Sequence, residues 1–582
     1  MAHRTIDYYM WGFQPHFRSS LEHAVEKVLK GIGLQVEPEV FLVGFLAPGG
    51  NRHPICIEPE TGRFRPDHLA GVFEQARIIF REDPETQIFN SDRRVHELRQ
   101  RSLLDLARAR ATKEALEGAI AGADTVFFVG RSTRVEQHDV HTVIGLPQGA
   151  MNAQPRLHTQ IKDRMHVVGS LLDAAVEEIL ERSARALYFP DPGADPLVLQ
   201  ADTSDILRAA ARRLMRSITV LTGQLLGAGL YDALNEVSTL RYERRVGIGS
   251  LVLTRADHPA VDEVITLGRP VQLSEHRAVR KLLEVSHRQG LSPLSDGTAV
   301  YALGTVGTTY DAAEESIFSI LLLGEGTWEL RHVETPMLRV EFGAPRLPRP
   351  RLDRNHFVDT VERVFAGTST RQPDRLWNYA MAAADAEHGT MLVVTAAAAE
   401  EAERLQAQGM PIRPVLLQSS TLAQLTSIDG AVVLSPDGTC HAMGVILDGA
   451  ASGVGDRSRG ARFNSAVRYL GSASGPTVIV LISEDGMIDL LPNLRPRVKR
   501  SHLESALQAT QGAVAKQDFE QFYKAFRRLE TLEFYLSAEQ CSIANSLEEQ
   551  MEDLRWERHQ MRIHHRILQP DPAMDESYFI DE

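Results

Sequence analysis

Residues 428–447 read IDGAVVLSPDGTCHAMGVIL, and the fold class turns on this stretch. Its AVVL run is a short apolar strand, Pro436-Asp437-Gly438 is a hairpin turn signal, and HAMGVIL is the returning strand. Upstream, residues 388–395 (HGTMLVVT) read as a glycine turn into a buried strand. Residues 396–408 (AAAAEEAERLQAQ) are strong helix formers that run to Gly409, the expected C-cap. Downstream, residues 461–470 predict a short helix and residues 477–482 (TVIVLI) another strand. This alternation predicts an α/β domain with a mixed β-sheet flanked by helices.

Proline-rich stretches bracket the pattern. Residues 346–354 (RLPRPRLDR) carry Pro348 and Pro350, which suit neither a helix interior nor a central strand. Residues 491–500 (LPNLRPRVKR) end the alternation, so the α/β domain is expected over 355–495. Beyond it, Phe519, Phe522, Phe526, Leu529, Leu532 and Leu536 recur at spacings of three and four. That spacing predicts a helical C-terminal region over 501–582, its apolar face buried against the chain's own core. The tail QPDPAMDESYFIDE reads as acidic and weakly ordered.

Residues 1–235 carry no catalytic signature and read as a sensor or regulatory region. They predict a helix near 95–116, a strand at 124–130 (DTVFFVG), and mostly helix over 160–235, including 206–226. Residues 236–345 echo the α/β domain faintly. GIGSLVL at 247–253 follows HGTMLVV, DGTAVYALGTV at 296–306 follows DGAVVL plus AMGVI, and GEGTWEL at 324–330 follows EDGMIDL. The shared order suggests a degenerate second copy without the hairpin insert or the arginine-bearing helix. Chance recurrence of glycine-rich strand pairs is the competing reading.

A chain of 582 residues exceeds one ordinary core, and 43% hydrophobic with 24% charged residues marks it as globular. Its net charge of −14 argues against a nucleic-acid partner held by phosphate neutralisation, while leaving room for a local basic pocket. Cys56, Cys440 and Cys541 lie too far apart in sequence for a disulfide framework or a paired-cysteine zinc site. No basic start with an apolar run opens the chain, and no apolar run approaches the ~20 residues that span a bilayer. A cytoplasmic protein without membrane contact is the expectation.

Three clusters offer chemistry. Asp429-Gly430-Ala431 places a carboxylate and a glycine just before a strand, where a divalent cation can sit beside a phosphate. An isolated Asp-Gly pair is more commonly a turn. Residues 455–468 (GDRSRGARFNSAVR) put four arginines around a helix start near Ala461, and unpaired N–H groups there suit a triphosphate. An arginine-rich loop alone is usually a solvated surface. Ser483-Glu484-Asp485-Gly486 ends a strand, where α/β sheets gather ligands, although a plain hairpin is the commoner use. His138, His141, His158 and His166 fit no metal-ligand spacing, and His441 reads as a packed histidine.

Taken in order, these clusters resemble the diadenylate cyclase domain family, the nucleotide-binding domain of the DNA integrity scanning protein. That pattern has a glycine-led strand, a DGA motif, a GTRHR-type motif opening a helix, and a strand ending in SEE or similar. Here they stand as HGTMLVV, DGA at 429–431, GARFNSA at 460–466, and VIVLISEDG at 478–486. The resemblance implies a nucleotidyltransferase that condenses two ATP molecules into cyclic di-AMP, with domains paired face to face in a homo-oligomer. It implies that Asp429 and Arg462 are catalytic, with Asp429 and Glu484 holding Mg²⁺ or Mn²⁺. Gly430, Ala431, Gly460, Arg462, Asn464, Ser465 and Ser483 would contact the nucleotide.

One departure stands out. In GARFNSA, Ala461 replaces the family Thr, Phe463 the His and Asn464 the second Arg. Losing a phosphate-contacting group costs on the order of a hundredfold in rate. Two alternatives therefore stand beside the active cyclase: a nucleotide-binding sensor without turnover, and a cyclase making another cyclic nucleotide.

Overall fold

The computed structural model describes residues 8–60, 62–89, 91–119, 124–162, 165–194, 198–199, 201–224, 229–240, 248–348, 352–384, 389–449, 461–482, 488–559 and 567–580. The chain divides into two compact units, Met1–Pro348 and Arg349–Glu582. Among the described residues no helix is long and apolar enough to cross a membrane.

The first unit opens with helix α1 (Gln14–Gly31) and an antiparallel sheet. Its strands β1 (Glu39–Leu46), β2 (Ile55–Glu58), β3 (Thr125–Val129), β4 (Thr133–Val135) and β5 (His138–Pro147) run in the order β2-β1-β5-β3, with β4 on β5. Helices α2 (Val72–Glu82) and α3 (Arg93–Ala119) pack their buried residues with Phe41, Val43 and Phe45 of β1. Residues of α1, α4 (Leu171–Ala186) and α5 (Thr203–Leu221) join Val40 and Leu42 in a second core. That core continues into Leu251, Phe318 and Trp328 of the next sheet.

The next sheet follows helix α6 (Leu230–Thr239). It comprises β6 (Ile248–Leu253), β7 (Val261–Gln272), β8 (Ser292–Ser295), β9 (Ala299–Val306), β10 (Phe318–Gly324), β11 (Thr327–His332), β12 (Thr335–Glu341) and β13 (Ala344–Arg346). Helix α7 (His276–Gln289) lies between β7 and β8. The order is β13-β12-β11-β10-β6-β8-β9-β7, and the β6–β8 pair alone is parallel.

The second unit begins with α8 (Arg354–Val364) and α9 (Pro373–Ala384). Its α/β domain contains β14 (Thr390–Thr395), α10 (Ala398–Arg404), β15 (Met410–Leu416), α11 (Ser419–Leu425), β16 (Ala431–Leu434), β17 (Thr439–Val445), α12 (Ala461–Ser472), β18 (Thr477–Ile482) and β19 (Ile488–Leu491). Strands run β15-β17-β16-β14-β18-β19, with β14–β16 the parallel pair. Alternate residues serve opposite faces, as the period of a strand requires. Leu392, Val394, Val432 and Val480 pack with Phe357, Leu376 and Leu422 of α8, α9 and α11. Met391, Val393, Val433 and Ile479 pack with Ala402 of α10 and Ala466 and Tyr469 of α12. The result is a three-layer α/β/α domain of the expected class.

The two sheets share a topology. Replacing β14 to β19 in turn by β6 to β11 reproduces the strand order, the position of the parallel pair and every antiparallel neighbour. Each is preceded by a helix, α6 or α9, and each has a helix, α7 or α11, before the parallel partner strand. The register shifts at Tyr301 in YALGTV and at His441 in HAMGVI. This corrects the sequence correspondence at one place. Asp296-Gly297 matches the hairpin turn at Asp437-Gly438, not Asp429-Gly430. Gly297 and Gly438 both have positive φ (+93° and +88°), and both aspartates accept from the backbone just after the turn. The hairpin is therefore present in the earlier sheet. The arginine-bearing helix is absent there: a short 3-10 turn, Ala312–Glu314, occupies the link between β9 and β10.

Other boundaries also shift. Helix α10 stops at Arg404 because buried Leu405 turns the chain and Gln408 then accepts from Ile446 N beside the sheet. Gly409 is not a cap; a Cβ there would lie 2.7 Å from Val445 Cγ2. Strand β15 escaped the sequence reading because Pro411 and Pro414 interrupt it, which an edge strand tolerates.

In the C-terminal region, α13 (Arg500–Lys516), α14 (Phe519–Thr531) and α15 (Ala538–His559) bury Phe522, Phe526, Leu529 and Leu536 in their own core. The tail is more ordered than its composition suggests. Phe579–Ile580 pairs with Val498–Lys499, and Tyr578 is buried under the Arg363 guanidinium, 4.1 Å from the ring centroid.

Candidate active site

Two loops of the α/β domain converge. Helix α11 ends at Leu425, and Asp429 and Gly430 lead from it into β16. Gly430 adopts φ +113°, and a Cβ there would meet Gly444 C at 2.6 Å and Val445 N at 2.9 Å. Gly444, at φ +61°, lies across from it on β17, 3.5 Å from Asp429 O by the same measure. Two facing glycines thus let the β16 and β17 backbones close where Asp429 leaves the sheet. Ala431 begins β16 with its methyl fully buried, so any ligand contact from it comes through backbone.

Arg462 lies in the first turn of α12, and its Nη2 is 3.3 Å from Asp429 Oδ1 across 33 residues of sequence. The Asp429 side chain is 92% exposed. Both of its recorded hydrogen bonds, from Arg462 and from Gly430 N at 3.1 Å, go to Oδ1. Among the described residues Oδ2 has no hydrogen bond, and a carboxylate this exposed suits a hard cation that binds one carboxylate and substrate phosphates. Asn464 and Ser465 are half-buried in the same first turns, and Phe463 packs against the α10–α12 core. Gly460, Ser483 and Glu484 lie outside the described residues, so the second carboxylate expected for a cation is not placed. Among the described residues no cluster of three or more His, Cys, Asp or Glu side chains suits a metal ion.

The remaining histidines stand elsewhere. His441 faces Ser435 Oγ at 3.3 Å in the hairpin. His138 and His141 are buried on β5, and burial lowers both pKa values. His166 pairs with Glu177, whose hydrogen bond raises its pKa. Sequence reasoning missed a neighbouring cluster, Glu401, Arg404, Asp448 and Tyr469, although the Glu401–Arg404 spacing on one helix was visible.

Three family models match parts of the chain. Residues 380–494 match the family described as DisA bacterial checkpoint controller nucleotide-binding. Residues 10–215 match the probable sensor domain DACNG, and residues 228–334 the probable sensor domain DACNH. No curated protein matches the chain. The sheet that repeats the topology of the α/β domain is therefore the one matched as DACNH. Asp429, Gly430 and Arg462 thus lie in residues 380–494, which are similar to the DisA nucleotide-binding family and follow two stretches similar to the probable sensor domains DACNG and DACNH.

Proposed function

We propose that the chain is a diadenylate cyclase acting on ATP in the cytoplasm. The observation that carries this reading is Arg462 against Asp429 at an exposed glycine-backed edge, within residues matched as nucleotide-binding. Two domains of a homo-oligomer each present one ATP. Each 3′-oxygen forms a bond to the α-phosphorus of the opposite ATP, gives up its proton, and displaces pyrophosphate; two pyrophosphates leave as the ring closes.

Asp429 would hold Mg²⁺ or Mn²⁺, which supplies neutralisation of phosphate charge. Arg462 and the N–H groups of the first α12 turn face the triphosphate and counter charge on the equatorial oxygens. Gly430 lets the nucleotide approach the backbone, and Asn464, Ser465, Gly460 and Ser483 complete the cradle, with Glu484 as second carboxylate. The main contribution is positioning of 3′-OH and phosphorus.

A second reading rests on Phe463, which packs into the domain core where the family places a histidine, and on Asn464, which carries no charge. It makes the domain a nucleotide sensor without turnover. Mass spectrometry after incubation with ATP and Mg²⁺ or Mn²⁺ decides between them. Cyclic di-AMP supports the cyclase, bound but intact ATP supports the sensor, and a product of different mass identifies another cyclic nucleotide.

A further inference from the structure

A charge cluster ties α10 to α12 through Tyr469, two helical turns along the same face from Arg462. Glu401 of α10 is 5% exposed. It accepts from Arg404 through both oxygens, Nε at 3.1 and 3.2 Å and Nη2 at 2.7 Å, and from the Tyr469 hydroxyl at 2.7 Å. Ser474 Oγ adds a longer contact at 3.4 Å. The same guanidinium spans Asp448, with Nη1–Oδ2 at 2.7 Å and Nη2–Oδ1 at 2.9 Å.

These partners bracket one stretch of chain. Asp448 follows β17 and opens the link to α12, while Tyr469 lies inside α12, seven positions after Arg462. The link starts flat on that helix: a Cβ on Gly449 would sit 2.7 Å from Arg468 C. Asp448, at the start of the link, and Tyr469, within α12, are therefore both tied to α10 through one fork, Asp448 directly and Tyr469 through Glu401. The charges respond accordingly. Hydrogen bonds from Arg404 lower the pKa of Glu401 and of Asp448, and burial raises that of Tyr469.

We infer that Arg404 is a positioning residue for the nucleotide site, fixing α12 against Asp448 and α10 so that Arg462 stays opposite Asp429. The inference rests on the nucleotide-site reading above. A planar fork reaches two carboxylates at once, which a lysine ammonium cannot do. Loosening the hold of α10 on α12 displaces Arg462 from the triphosphate without removing any group that touches it.

The test uses the full chain with Arg404→Lys, Arg404→Gln and Asp448→Asn. ATP affinity is measured by calorimetry, and KM and kcat by product formation. The expected result is a rise in ATP KM and dissociation constant of about ten- to a hundredfold in Arg404→Lys, with circular dichroism unchanged at the assay temperature. A purely structural role would lower the folded fraction and apparent kcat and leave KM alone. Should the Arg404 variants fail to fold, Asp448→Asn keeps the Glu401–Arg404 pair and cuts only the tie to the link. It is expected to weaken ATP binding in the same direction. Wild-type affinity and KM in every folded variant overturns the inference. A wild type that binds ATP without making product overturns the cyclase reading alone, and the affinities still decide the role of Arg404. A wild type that binds no ATP overturns both, and shows it before any substitution is compared.

Discussion

Asp429 and Arg462 meet at 3.3 Å although one side chain is 92% and the other 42% exposed. Exposed pairs of this kind contribute about 0–1 kcal/mol to stability. Its placement therefore points to ligand chemistry rather than to folding. Asp429→Ala is expected to abolish product while shifting the thermal midpoint by no more than a few degrees. Unchanged turnover would remove Asp429 from the cation site.

The glycine pair behind Asp429 has the opposite character. An alanine at 430 must hold φ +113° and place its Cβ 2.6 Å from Gly444 C. A left-handed strain alone costs ~1–3 kcal/mol, before the clash is counted. Gly430→Ala should therefore lower the thermal midpoint of the second unit as well as activity. Gly471→Ala on α12, where a Cβ meets nothing within 4 Å, is the control. It is expected to leave stability level or raise it by up to ~1 kcal/mol. Equal melting of both variants would contradict the packing argument.

Much of this site was legible because its carriers are local. The Asp-Gly pair, the small-residue helix start and the flanking apolar runs each leave a signature within a few residues. The resemblance carried by their order assigns Asp429 and Arg462 to one site, and the structure brings them within 3.3 Å. What was illegible depends on pairing between distant segments. Strand β15 hides behind Pro411 and Pro414, which its edge position permits. The Asp296-Gly297 pair looks like Asp429-Gly430 in sequence, and only strand register assigns it to the hairpin. The Arg404 fork joins residues 44 apart, so spacing could reveal only its Glu401 half.

The altered triplet makes a directional prediction. Phe463 packs with the α10–α12 core, so Phe463→His puts a polar ring into an apolar contact. It should cost about 1–3 kcal/mol of stability. Asn464 is half-buried in the same helix turn, and Asn464→Arg restores the family's charge beside Arg462. That variant is expected to tighten ATP binding severalfold, with the gain shrinking as salt is raised. Weaker binding in Asn464→Arg would show that position 464 does not face the phosphates.

In the earlier sheet a link that binds the protein's own backbone stands where the α/β domain has its arginine-bearing helix. Glu315, at φ +47°, is 2% exposed; its Oε1 accepts from His158 N at 2.7 Å and Oε2 from Thr159 N at 2.9 Å. A non-glycine residue held in that backbone region is strained by ~1–3 kcal/mol, so the two hydrogen bonds must outweigh it. Glu315→Ala removes the acceptor from two part-buried donors, His158 N and Thr159 N, at about 1 kcal/mol each. Glu315→Gln, with a single oxygen, should fall between the wild type and alanine. Burial raises the Glu315 pKa, but the two backbone hydrogen bonds more than offset this, and the net shift is downward. A carboxylate with a depressed folded pKa adds stability above its unfolded value of ~4.3, lost as pH falls through the folded value. Melting of the first unit should therefore show an acid-dependent loss that Glu315→Gln removes. An identical acid limb in wild type and Glu315→Gln would show that the carboxylate charge does not hold this joint.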